Sequence, residues 1–108
     1  MKYFTLEKTK ENIAVITIDC PEGKVNKVSS GFLDEVAAII DDIKNDKSVA
    51  GMVITSAKED NFVVGADIDE VKGMQTPEEA VVYISKGHAI LNELEKMKIP
   101  VIACIHGN

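Results

Sequence analysis

Residues 62–68 read FVVGADI. The stretch contains no strong nucleophile and no cluster of metal-binding side chains, so any chemistry it does must come from the backbone. Gly65 allows a tight turn or a close approach of backbone to ligand. Ala66 has a small side chain that leaves its own N–H accessible. Asp67 suits the cap of a short helix running to about Lys72. The first N–H groups of a helix lack intrahelical partners and carry partial positive charge. A ligand carbonyl placed there would meet the Ala66 N–H as a donor for a developing oxyanion, and removing one such donor typically costs about 2.7–4 kcal/mol of transition-state stabilisation. A glycine and an aspartate in this order also describe a plain capped helix start, and the pattern alone leaves both readings open.

The whole chain has 108 residues, enough for one small domain. Hydrophobic residues make up 45% and charged residues 28%, as in an ordinary globular protein. The net charge is −6, arginine is absent and the lysines are scattered. This argues against nucleic acid as a partner and against long-range steering of an anionic ligand, though local lysines can still hold one. The longest apolar runs, VAAII from Val36 and VIACI from Val101, fall far short of the roughly 18 residues needed to span a bilayer. The N-terminus lacks the apolar core of a signal peptide, so a cytoplasmic location is expected. Cys20 and Cys104 are isolated and there is no CxxC, so no disulfide and no zinc site is expected. Cys104, in an apolar run, reads as a buried small hydrophobe.

The elements that must position the 62–68 stretch follow from periodicity and punctuation. YFTLEK (3–8) and IAVITID (13–19) are β-rich and separated by the turn-like TKEN, which predicts a hairpin or two adjacent strands. CPEGKVN (20–26) reads as a loop. From Ser30, Phe32, Leu33, Val36, Ile39, Ile40 and Ile43 fall at helical spacing. VAGMVITSA (49–57) is apolar on both faces, which suits a central strand of a parallel sheet. Thr76, Pro77 and Glu79 form a capping-box start for a long helix, whose predicted apolar stripe is Ala80, Val81, Ile84, His88 or Ala89, Leu91 and Leu94. Pro100 opens a last strand, VIACIH, and the chain then stops at HGN as if cut. The order β, β, α, β, short helix, long helix, β predicts an α/β fold with parallel crossovers.

NFVVGADI followed by a helix, and then IPVIACIHGN at 99–108, resembles the enoyl-CoA hydratase (crotonase) family. NIAVITIDCPEGKVNKVSSGF (12–32) resembles the opening strands of the family and the asparagine-bearing loop after them. VAGMVITSAKEDNFVVGADI (49–68) is similar in particular to the N-terminal hydratase domain of the multifunctional subunit of bacterial fatty-acid β-oxidation complexes. The resemblance implies a crotonase-like spiral of ββα units, of which residues 1–108 would form the N-terminal part of one domain. It implies acyl-CoA or enoyl-CoA thioester substrates, no metal, no cofactor beyond the CoA carried by the substrate, and a homo-oligomer or a place in a multienzyme complex. By motif position, Ala66 resembles the first backbone oxyanion donor and Gly65 its turn. Val64, Asp67 and Ile68 would line the nucleotide and pantetheine path, and Lys24, Asn26 and Lys27 would stand in the loop near the CoA phosphates. The small-then-apolar pair that usually follows the asparagine is here Lys27-Val28.

The implied reaction adds water to the β-carbon of an unsaturated thioester. Charge develops on the thioester oxygen, two backbone N–H groups stabilise it, and carboxylates orient the water and shuttle protons. The second N–H and both catalytic glutamates of the family come from segments after HGN. The expectation is therefore an enzyme of the enoyl-CoA hydratase/isomerase class whose isolated 108-residue chain is inactive, with a non-catalytic CoA-binding or assembly module as the alternative. An incomplete spiral would expose apolar surface and self-associate. Asp69 and Glu70 have no evident reason to point at a substrate. His88 reads as a packed, hydrogen-bonded histidine, and His106 as a structural residue bordering the site.

Overall fold

The computed structural model describes residues 1–21 and 23–107; Glu22, in the loop read at 20–26, and Asn108, the last residue of HGN, lie outside the described residues. β1 (Phe4–Lys8) and β2 (Ile13–Ile18) form the expected antiparallel hairpin, with Phe4 opposite Ile18 and Lys8 opposite Ala14. Asn12 closes the turn at φ 65°, a left-handed conformation that asparagine tolerates better than most residues.

α1 (Ser30–Asn45) starts at the cap Ser29, whose hydroxyl accepts the Phe32 N–H. β3 (Gly51–Ser56), the short α2 (Ile68–Lys72), α3 (Pro77–Glu95) and β4 (Val101–Ala103) follow. The sheet order is β1-β2-β3-β4, with β2, β3 and β4 parallel. β3 therefore has a parallel neighbour on each side, as its two-sided apolar sequence predicts. Parallel strands end at the same edge, so the loops leaving β2, β3 and β4 lie side by side there, where ligands of such sheets commonly bind.

The core forms where one face of the sheet meets α1. β2 alternates strictly, with Ala14, Ile16 and Ile18 buried and the intervening residues half-buried. These pack with Phe4 and Met52 against Phe32, Leu33, Ile39, Ile40 and Ile43 of α1, and against Ile90 of α3. Phe4 and Phe32 meet with ring centroids 4.7 Å apart.

Two expectations need correction. On α3 the core-facing stripe is Tyr83, Gly87, Ile90 and Leu94, with Ala80 half-buried above it. Val81, Ile84 and Leu91, expected in that stripe, are 61%, 54% and 60% exposed, and His88 beside them is exposed as well. The helix carries two apolar stripes and only one faces α1 and the core. Cys104 is exposed rather than buried, because β4 ends at Ala103 and occupies the edge of the sheet.

The correction makes a direct test. Ile90→Ala should lower unfolding free energy by about 2–5 kcal/mol, whereas Ile84→Ala should stay within about 0.5 kcal/mol of the parent, both measured by urea denaturation of the 108-residue chain.

Candidate active site

The site is built on the two loops that leave β2 and β3. Asn26 is wholly buried and ties them together. Its Nδ2 donates to Ser56 Oγ at 2.8 Å and to the Phe62 carbonyl at 2.7 Å. Its Oδ1 accepts the Cys20 N–H at 2.9 Å. Its own N–H donates to Asn61 Oδ1 at 2.7 Å, and its carbonyl accepts the Val64 N–H at 3.0 Å. Every polar group of the residue is engaged and none reaches the surface. With its side chain sealed, Asn26 serves the site by fixing the two loops.

Beyond Asn26 the two loops pair for one further step. Val28 and Ala66 form a parallel β-bridge, in which the Val28 N–H donates to the Gly65 carbonyl at 2.8 Å and the Asp67 N–H donates to the Val28 carbonyl at 2.9 Å. A trans peptide holds its C=O and N–H in opposite directions. Since the Gly65 carbonyl points at Val28, the Ala66 N–H points the other way, toward the side on which β4 ends. Among the described residues no backbone acceptor is found for it. Gly65 stands at φ +129°, a conformation that L side chains rarely adopt, and a Cβ there would meet nothing within 4 Å. The need for glycine at 65 is therefore conformational, and the surface above it is open.

Asp67 caps α2 by accepting the N–H groups of Asp69 and Glu70 at 3.1 and 3.3 Å. Val64 and Ile68 flank the loop, 51% and 65% exposed, as accessible apolar surface. Lys24 and Lys27 are exposed. A cleft of about 160 Å³ brings Lys27 together with Asp67, Lys2 and Val25, while Lys24 is not among its lining residues.

Several residues that hold the site carry no marked signal in the sequence. Lys58, whose side chain is only 12% exposed, pairs with Asp19 at 2.9 Å and donates to the carbonyls of Cys20 at 2.6 Å and Gly23 at 3.2 Å. Within the polar run KEDN it reads as an ordinary loop lysine. His106 has the structural role expected of it, with Nε2 2.9 Å from the Lys58 carbonyl. Gly107 is required by space as well as conformation: a Cβ there would fall 2.0 Å from the Asp60 carbonyl oxygen. The end of β4 is thus docked on the loop after β3. Among the described residues no group of three or more His, Cys, Asp or Glu side chains is placed to hold a metal ion, and no helix is long and apolar enough to cross a membrane.

This arrangement, parallel strands whose adjoining loops present an outward-turned backbone N–H, is the α/β crotonase fold, of which the chain carries a part. An enoyl-CoA hydratase from Bacillus anthracis superposes over 97% of this chain and 40% of its own, with a TM-score of 0.89 and 26% identity. One from Thermoplasma volcanium covers 99% of this chain and 41% of its own, with a TM-score of 0.86 and 25% identity. Residues 8–108 match the family Enoyl-CoA hydratase/isomerase, and the chain belongs to it. The fatty acid oxidation complex subunit alpha of Shewanella oneidensis is 41% identical over 106 residues, which is 98% of this chain and 15% of that protein. The chain thus spans about a seventh of the length of the curated relatives it matches, 15% in each case.

The engagement of Asn26 sets the expected cost of losing it. Asn26→Ala strands several buried N–H and C=O partners at once and should cost at least about 2 kcal/mol in urea denaturation, far more than Lys24→Ala on the exposed part of the same loop.

Proposed function

We propose that this chain contributes the thioester-recognition half of an enoyl-CoA hydratase or isomerase site, with acyl-CoA or enoyl-CoA thioesters as ligands and the Ala66 N–H as one of two oxyanion donors. The observation that carries the reading is the direction of that N–H. The Gly65–Ala66 peptide is fixed by the Val28 N–H, which turns the Ala66 donor outward beside an open surface. As a thioester adds water at its β-carbon, or loses an α-proton, negative charge grows on the thioester oxygen. A donor held in place beforehand stabilises that charge without reorganisation at the moment of reaction. Val64 and Ile68 offer apolar contact along the ligand, and Lys24 and Lys27 offer charge for its phosphates. Relatives named as subunits of a fatty acid oxidation complex support fatty-acid β-oxidation as the setting.

Proton transfer is a separate requirement. Asp69 is exposed on α2, and the carboxylates on either side of it are committed elsewhere: Asp67 accepts N–H groups of α2, and Glu70 accepts the Ser30 N–H. Neither is free to activate a water molecule. This favours binding without turnover for the 108-residue chain, in which case the chain alone acts as a CoA-binding module and catalysis needs carboxylates from further protein.

Calorimetric titration with acetoacetyl-CoA, run beside a hydration assay with crotonyl-CoA, tests both statements. Binding of acetoacetyl-CoA more tightly than CoA, with no hydration, is the expected result. Turnover would overturn the assignment of the acid–base groups to further protein, and absence of binding would remove the thioester site from this chain.

Assembly belongs to the same proposal. The exposed stripe of Val81, Ile84 and Leu91 on α3 and, elsewhere on the surface, Ile102 and Ile105 (58% and 72% exposed) are apolar groups of the kind that other protein covers. Light scattering across a concentration series should show self-association of the isolated chain, and a monomer at all concentrations would count against a homo-oligomer.

A further inference from the structure

The direction of the Ala66 N–H depends on Val28, and the segment Val28–Ser30 is held by two side chains that come from other elements, one at each end. The Val28 carbonyl accepts the Tyr83 hydroxyl of α3 in addition to the Asp67 N–H. Two residues on, the Ser30 N–H donates to both carboxylate oxygens of Glu70, at 3.0 and 3.1 Å, and the Ser30 hydroxyl donates to the same carboxylate. Ser30 is the first residue of α1, a helix with no acidic residue in its own first turn, whereas α2 and α3 each carry two. A helix N-terminus favours negative charge. α1 receives that charge from α2, through Glu70, and the exchange ties the helix after the oxyanion loop to the helix after the β2 loop. The side chains of Tyr83 and Glu70 line one cleft with Ser30 between them.

We propose that Tyr83 and Glu70 are positioning residues for the oxyanion donor: by holding Val28–Ser30 from α3 and α2, they set the plane of the Gly65–Ala66 peptide and hence the aim of the Ala66 N–H. The inference rests on the reading of Ala66 as that donor. Each link is a contact in the fold. Tyr83 fixes the Val28 carbonyl, Glu70 fixes Ser30, the segment between them has little freedom left, and the Val28 N–H orients the Gly65 carbonyl. Burial, and then the negative charge of Glu70, raise the Tyr83 phenol above its ordinary value of 10.0, so it remains a protonated donor through neutral pH. Tyr83→Phe is a mild change here. The Val28 carbonyl keeps the Asp67 N–H, and the cleft beside Tyr83, about 710 Å³, admits water.

Two measurements on the 108-residue chain test the proposal. In the ligand-free, ¹⁵N-labelled chain, Tyr83→Phe should move the amide resonances of Gly65 and Ala66 as well as those of Val28 and Asp67, the two residues of these loops that Tyr83 itself meets. Glu70→Ala should move the same set, and Glu70→Gln, which keeps an acceptor for Ser30, should restore part of the shift. In titrations, Tyr83→Phe should weaken acetoacetyl-CoA by about fivefold, the worth of one hydrogen bond, while leaving free CoA, which has no thioester carbonyl, within about twofold. Equal losses for both ligands would mark a merely structural role and overturn the proposal, as would unmoved amides at 65 and 66. If the parent chain shows no preference for acetoacetyl-CoA over CoA, the donor reading fails, and the ligand-free spectra decide the clamp alone. Should Tyr83→Phe fail to fold by circular dichroism, the Glu70→Gln chain carries both measurements.

Discussion

A buried side-chain amide must find a partner for each polar atom or lose the free energy of the hydrogen bonds it made in water. Asn26 meets that demand with groups drawn from both loops: Cys20 on the β2 side, and Ser56, Asn61, Phe62 and Val64 on the β3 side. Asn26, with Lys58 beside it, holds the loops at a fixed spacing at the point where strand pairing between β2 and β3 has ended. The Val28–Ala66 bridge forms one step further out, and the cap of α2 one step beyond that. The site is therefore a continuation of the sheet by other means, with a side chain replacing the ladder where the strands diverge.

The helices extend the same logic. Ser29, Asp67 and Thr76 each satisfy N–H groups at the start of the helix they precede. α1 still lacks charge in its first turn, and Glu70 provides it across the interface. Two ion pairs, Lys44 with Glu93 and Lys86 with Asp34, link α1 to α3 at the surface, where such pairs contribute little to stability but favour one relative placement. Burial of Ile39, Ile40 and Ile43 against β2 and β3 supplies the main force. The polar contacts select which of the packed arrangements is adopted.

What was legible in the sequence was mostly local. The hairpin, the apolar face of α1, the caps at Asp67 and Thr76 and the parallel placement of β3 each follow from residues within one element or its flanks. Gly65 and Asp67 mark a turn and a helix start around Ala66, and the pairing with Val28 explains the direction of the Ala66 N–H. The face of α3 was not legible, because Val81, Ile84 and Leu91 repeat with the same period as Tyr83, Ile90 and Leu94, and periodicity cannot rank two stripes of similar hydropathy. Asn26 was marked by its motif, but its burial and its part in joining the loops were not legible, since they depend on partners 30 or more positions away. Lys58, Glu70 and Tyr83 left no trace for the same reason: each acts on carbonyls or N–H groups from another part of the chain.

The Ala66 donor is a main-chain group, present whichever side chain residue 66 carries, proline excepted. Substitution at 66 can obstruct the donor but cannot delete it. On the proposed reading, selection for activity would fall on the residues that aim the peptide, Asn26 and Gly65 among them, which surround the donor without supplying it. A comparison of natural variants that weighted only positions lining the ligand would pass over the residues on which inheritance of the chemistry depends. The most consequential mutations in this chain are expected to look, from the substrate's side, like mutations of the scaffold.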